Sequence, residues 1–283
     1  MRSLGILAAT LAGALMSVCV KYTAGHYSPW EIVLYNSMGS VLFSLLFLKV
    51  RRLTFRPVCP FHQFARAALG VVSMALAYWC LQRLPLATTV TFRYSAPIYT
   101  VFFAILICLK RRQKPPFLSS LSVLAGFGGV LMILRPSFGT DIGSDMVLSA
   151  VAGPVIATIA VLLHRMGELG ENPLRMLFYS SLACLCFGIV MTSATGMSPH
   201  SLDSLLPLTG ICFFGLLNQF FVTLGWSRGN LVLGASMQLC GVVFATVLGI
   251  CLFNEKPNGM SMTGICMVMA ALLTTALLQT KNK

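Results

Sequence analysis

The chain alternates long uncharged, mostly apolar runs with short polar connections. Runs free of Asp, Glu, Lys and Arg cover residues 4–20, 32–48, 67–82, 94–109, 115–134, 146–164, 176–199, 204–227, 229–254 and 257–280, the fourth extending back through Arg93 to Pro85. A helix needs about 20 mostly apolar residues to cross the hydrocarbon core of a bilayer. The pattern therefore predicts ten spans joined by short turns. Strands of a membrane barrel would alternate apolar and polar residues over about ten positions, and these runs are continuous. The expected fold is an all-α integral membrane protein with ten transmembrane helices.

Composition sharpens this by exclusion. The hydrophobic fraction is 57% and the charged fraction 10%, with mean hydropathy +0.85. Soluble domains are about 25% charged, and so few charges cannot clothe a water-facing surface. Disorder requires low hydrophobicity and is excluded as well. Residues 4–20 are longer than the apolar region of a secretory signal and are followed by Lys21, Tyr22 and His26, so they are expected to be the first span.

The net charge of +13 would suggest nucleic acid in a soluble chain. Here the basic residues sit between apolar runs, where they act as topology signals, and no nucleic-acid partner is expected. With the N-terminus inside, the inner segments hold Arg2, Lys49, Arg51, Arg52, Arg56, Lys110, Arg111, Arg112, Lys114, Arg165, Arg175, Arg228, Lys281 and Lys283, and the outer segments only Lys21, Arg83, Arg135 and Lys256. Both termini are therefore expected in the cytoplasm of a cell whose inner (plasma) membrane holds the chain. Glu31, Asp141, Asp145, Asp203 and Glu255 fall outside, with Glu31 and Glu255 read as interfacial.

An offset of 145 lays the second half on the first: Arg83 meets Arg228, Leu86 meets Leu231, Ile105 meets Ile250 and Val123 meets Val268. Ten spans then divide into a five-helix repeat over 1–136 and another over 146–280, joined by residues 136–145. An odd number of spans per repeat inverts the second repeat in the membrane, a plan that recurs in secondary transporters with cargo held near the midplane.

Several stretches resemble a known family. They are "LPLATTVTFRYSAPIYTVFFAIL" followed by "GFGGVLMIL", then "GASMQLCGVVFATVLGICLFNEKPN" followed by "TGICMVMAALL". "SPWEIVLYNSMGSVL" is similar to that family's second helix and "ENPLRMLFYSSL" to its seventh. Together they resemble the drug/metabolite transporter superfamily, in the branch built from two EamA-type five-helix repeats, over nearly the whole chain. The family's Pro in the fourth helix is Pro97 here, but its mate at the offset is Val242. The family's Glu after that helix is Lys110, while the mate Glu255 is kept. The family's frequent Arg in the second helix is Asn36.

Candidate chemistry is confined to polar residues within spans. Arg93 lies about eight residues into the fourth span, roughly 12 Å deep at 1.5 Å per residue. An ionisable group at that depth should face a cavity or a partner. Gln238, its mate at the offset, is also polar. Tyr78 and Trp79 in span three, Tyr94 and Tyr99 in span four, Tyr179 in span seven, Gln219 and Thr223 in span eight, and Asn36 suit a cavity for an organic solute. Arg66, at the inner start of span three, is expected to snorkel to the headgroups. The glycines of "AGFGGVLMI" read as close-packing surfaces. The ten cysteines form no CxxC pair and read as reduced thiols. No catalytic residue, metal ligand or cofactor is expected.

The sequence thus predicts a secondary transporter that moves a small organic metabolite by alternating access. Its expected partners are a neutral, zwitterionic or anionic solute and membrane lipid. No span holds a carboxylate for a proton relay. A membrane-embedded enzyme would need an acid/base or metal constellation, which four scattered His do not supply. A non-transporting membrane subunit or receptor is the remaining alternative; it would bind solute without flux.

Overall fold

A computed structural model describes residues 4–22, 26–84, 86–135, 144–198, 202–254 and 258–281. The described residues form twelve helices: α1 (Leu4–Tyr22), α2 (Pro29–Val50), α3 (Pro60–Arg83), α4 (Leu86–Tyr94), α5 (Ala96–Lys110), α6 (Phe117–Leu134), α7 (Ser144–Ala150), α8 (Ala152–Glu168), α9 (Pro173–Thr195), α10 (Leu202–Arg228), α11 (Leu231–Phe253) and α12 (Gly259–Lys281). The chain is an all-helical membrane protein. Among the described residues nine segments are long and apolar enough to cross a bilayer, with α4 and α5 counted as one and α7 and α8 as another. The 24 residues of α3 are also long enough to cross, but this helix carries His62, Gln63 and Arg66 in its first turns and Gln82 and Arg83 in its last. Of the expected linker, residues 136–143 lie outside the described residues, as does Glu255.

Two spans are broken for the same reason. Proline has no N–H and its ring crowds the carbonyl four residues back. Pro97 thereby releases the carbonyl of Arg93, and Pro154 that of Ala150. The chain answers with one tighter turn in each case. Ser95 N donates to the Phe92 carbonyl at 3.2 Å, and Val151 N to the Leu148 carbonyl at 3.2 Å. The Ser95 hydroxyl also donates to Phe92 O at 2.6 Å. At the offset position Val242 replaces proline, and α11 runs unbroken.

Packing relies on small residues, as the glycine pattern predicted. With no hydrophobic drive between helices in lipid, close backbone approach carries the association. A Cβ on Gly129 of α6 would lie 2.7 Å from the Gly264 carbonyl of α12, and one on Gly264 would lie 2.6 Å from the Gly129 carbonyl. Between α1 and α10, Gly5 meets Gly225 in the same way, at 3.2 Å. The most buried helix is α11, whose Ala235, Leu239, Cys240 and Val242 lie in the core.

One end of the bundle is rich in basic residues and is tied across the two halves of the chain. Both guanidinium Nη atoms of Arg111 donate to Glu168, each at 2.8 Å, and Arg165 joins at 3.0 Å. Glu171 accepts from the Val58 amide at 2.7 Å and pairs with Arg175 at 2.9 Å. At the opposite end Glu31 is fully buried. It accepts from the amide of Ser28 at 2.7 Å in a capping box, and from the amide and hydroxyl of Ser198 at 2.6 and 2.8 Å. The interfacial reading of Glu31 is thus corrected: four hydrogen bonds, counting its own N–H to Ser28 Oγ, make burial tolerable.

Candidate functional site

The breaks in the two proline-containing spans meet. Gly153, just after the second break, packs on Ser95 Oγ. A Cβ there would overlap that oxygen and lie 3.0 Å from Tyr99 Cε2 and 3.2 Å from the Phe92 carbonyl. Broken helices at mid-bilayer leave backbone groups that only a neighbouring helix or a lined cavity can satisfy. Arg93 and Tyr94 close α4 at this junction, both partly buried. The Tyr94 hydroxyl reaches α11, where it would lie 2.7 Å from a Cβ on Gly241. Gln238 is one turn before Gly241 on the same helix face, and its Oε1 is buried without a hydrogen-bond partner. The structure thus places Arg93, Tyr94 and Tyr99 at one discontinuity, with Gln238 on the α11 face that the Tyr94 hydroxyl reaches.

A second polar group lies nearer the basic end, centred on α10. Thr223 is fully buried and accepts from Arg66 Nη2 at 3.2 Å. Arg66 Nη1 donates to the Met176 carbonyl of α9 at 2.7 Å. Snorkelling is therefore corrected: Arg66 is 4% exposed and turned inward between α9 and α10. Gln63, one turn earlier on the same face of α3, is 3% exposed, and neither of its amide atoms has a hydrogen-bond partner. Gln219 is half-buried one turn before Thr223. Asn36 is buried with Oδ1 against Gly215 of α10. Asn218 Nδ2 donates to the Ala9 carbonyl of α1 at 2.8 Å, a tie that sequence reasoning missed.

The remaining candidates are placed apart. Trp79 is 45% exposed, with the Arg83 guanidinium stacked on its ring at 3.8 Å, the arrangement of an interfacial aromatic. Tyr179 donates to the Phe55 carbonyl at 2.8 Å and so fastens a loop at the basic end. Tyr78 lies in α3, and its side chain falls outside the described residues. At the basic end a cavity of about 230 Å³ is lined by Gly167, Glu171, Arg175, Ser227 and Arg228 among others. His164 Nε2 lies 3.9 Å from Glu168; among the described residues no group of three or more metal-binding side chains occurs.

The family is shown by comparison. The model of the EamA-like transporter family matches residues 2–135 and again 145–277. The chain belongs to the EamA-like transporter family. Among curated relatives of this EamA-like chain, an uncharacterized transporter of Helicobacter pylori is 27% identical over 96% of this chain and 93% of that one. Human solute carrier family 35 member G1 is 30% identical over 73% of this chain and 59% of that one. The S-adenosylmethionine uptake transporter of Rickettsia conorii is 20% identical over 94% and 89%. A solved crystal structure superposes with TM-score 0.80 at 17% identity, covering 98% of this chain and 100% of that chain; at that identity it speaks for the fold.

Proposed function

We propose that this EamA-like protein is a secondary carrier for a small organic solute, working by alternating access in the inner (plasma) membrane. The observation that carries the reading is the contact between the two broken spans, with Arg93, Tyr94, Tyr99 and Gln238 around it. Discontinuous helices near the midplane are where such carriers hold cargo, because freed backbone and inward polar groups can replace water around a solute. In this reading residues 1–136 and 146–280 are five-helix repeats of inverted topology that rock about the junction. The basic end faces the cytoplasm, as do both termini, on the charge asymmetry of the connections. The Arg111–Glu168 pair and the bond from the Val58 amide to Glu171, both between the halves, would then hold the cytoplasmic side together.

Cargo is a neutral, zwitterionic or anionic metabolite, since Arg93 is cationic and the apolar runs beside it, residues 94–109, 146–164 and 229–254, hold no carboxylate. The Rickettsia relative's named substrate, S-adenosylmethionine, adds a sulfonium to an amino-acid zwitterion, so it joins the panel as a net-cationic comparison beside amino acids, organic acids and nucleosides. The test is uptake and counterflow of that panel in proteoliposomes of the purified chain. Saturable flux above protein-free vesicles is the expected result. Binding without flux for every member would instead assign the chain to a receptor or subunit.

A further inference from the structure

Among the described residues, no acid pairs with the buried Arg66 guanidinium. Of the acids at the same end, Glu168 is engaged by Arg111 and Arg165, and Glu171 by Arg175 and the Val58 amide. What Arg66 has instead is neutral: a 2.7 Å bond to the Met176 carbonyl, which also accepts from the Ser180 hydroxyl at 3.0 Å, and a 3.2 Å bond to the Thr223 hydroxyl. Its Nε has no partner, and neither Nε2 nor Oε1 of Gln63 has one. Three unpartnered polar atoms therefore lie on one face of α3, three residues apart, where burial without a partner is expensive.

We propose that Arg66 and Gln63 form a recognition site for a small carboxylate bearing a hydroxyl group on the adjacent carbon. The chemistry follows from the atoms left over. A carboxylate takes the Arg66 Nε–H and the Gln63 amide N–H in charge-assisted bonds, and the Nη bonds to Met176 and Thr223 can stay in place. The remaining Gln63 Oε1 is an acceptor, so the ligand must bring a donor next to its anion. A lipid headgroup is not the ligand, because Arg66 faces Met176 and Thr223 in the bundle interior. Access requires α9 and α10 to part from α3, so the site opens with the basic end. The inference deepens the carrier reading and rests on it for the ligand's passage.

The experiment measures the thermal unfolding midpoint of the purified chain in detergent against lactate, propionate and propionamide, with lactate flux in proteoliposomes alongside. Lactate should raise the midpoint, propionate should need at least about tenfold more, since a site built around a ligand hydroxyl rejects its absence, and propionamide should do nothing. Arg66→Gln should abolish the lactate shift. Arg66→Lys, which keeps the charge but loses the fork, should weaken it and also serves if the glutamine variant does not fold. Gln63→Leu should make lactate and propionate equivalent. An equal shift with propionamide, no shift with lactate, or a lactate shift unchanged in Arg66→Gln and Arg66→Lys would overturn the site. A lactate shift dependent on Arg66 without lactate flux would leave the site standing and count against the carrier reading. Lactate flux unaltered by Arg66→Lys and Gln63→Leu would do the reverse.

Discussion

Gly153 and Ser95 touch across the two broken spans, with no room for a Cβ between them. A methyl group at Gly153 must displace the Ser95 hydroxyl from the Phe92 carbonyl it caps at 2.6 Å and also crowds the ring of Tyr99. Overpacking of this kind costs about 1–3 kcal/mol. Gly153→Ala should lower the thermal midpoint in detergent, and Gly153→Val more so. Ser95→Gly in the Gly153→Ala background should recover part of the loss by reopening the space. An additive double variant would separate the two residues.

Glu31 should matter through burial and not through cargo. Its carboxylate joins the first turn of α2 to Ser198, beyond the end of α9. Glu31→Ala removes a capping box as well as that tie, and caps of this type are worth about 0.5–2 kcal/mol each. The expected outcome is a lower unfolding midpoint with unaltered solute preference. Changed selectivity at unchanged stability would show that the residue acts on cargo.

Cys59 reports on both topology and environment. The residue is buried at the N-cap of α3. Burial pushes its thiol pKa up, and the Glu171 carboxylate beside it pushes the same way. Thiolate is the reactive form, so alkylation at neutral pH should be slower than for a free thiol and should accelerate as pH rises. Glu171→Gln removes the negative charge, lowers the thiol pKa and should speed labelling. The reagent should reach Cys59 from the cytoplasmic side only, as it should a cysteine placed at Arg112, whereas one at Asp141 should label from outside. Labelling of Cys59 by an impermeant reagent added to intact cells would reverse the proposed orientation.

What could be read from the sequence was whatever depends on one segment at a time. Spans follow from uninterrupted apolar length, and the glycines of α6 announced a close neighbour, found in Gly264. Partners could not be read, because the rotation of a helix about its axis is set by the helices around it. Arg66 lies near a span end, where a long side chain can reach water; only the positions of α9 and α10 turn it inward. Glu171 finds Val58 across more than a hundred residues, a relation no local pattern carries. The break after α7 had a readable signal in Pro154, the same one that Pro97 gives in span four.

Arg93 carries the central test of the proposed site. It closes α4 at the junction, beside Tyr94, whose hydroxyl reaches the α11 face that holds Gln238, and the Oε1 of Gln238 is buried without a partner. A guanidinium at such depth costs at least about 2.5 kcal/mol on insertion scales, which local partners or a wet cavity must offset. If that offset is completed by an anionic or zwitterionic cargo, Arg93→Gln should abolish flux while the folded protein still reaches the membrane. Arg93→Lys should restore only part, because an ammonium is a point charge without the planar fork that grips a carboxylate. Gln238→Leu should raise the concentration of solute needed for half-maximal flux, with a smaller effect on its maximum. If Arg93 only satisfies the carbonyls freed by Pro97, Arg93→Gln should lower the unfolding midpoint and leave the flux of the remaining folded carrier intact. Flux and unfolding measured on the same preparation separate the two roles: normal flux per folded Arg93→Gln molecule removes Arg93 from the cargo site.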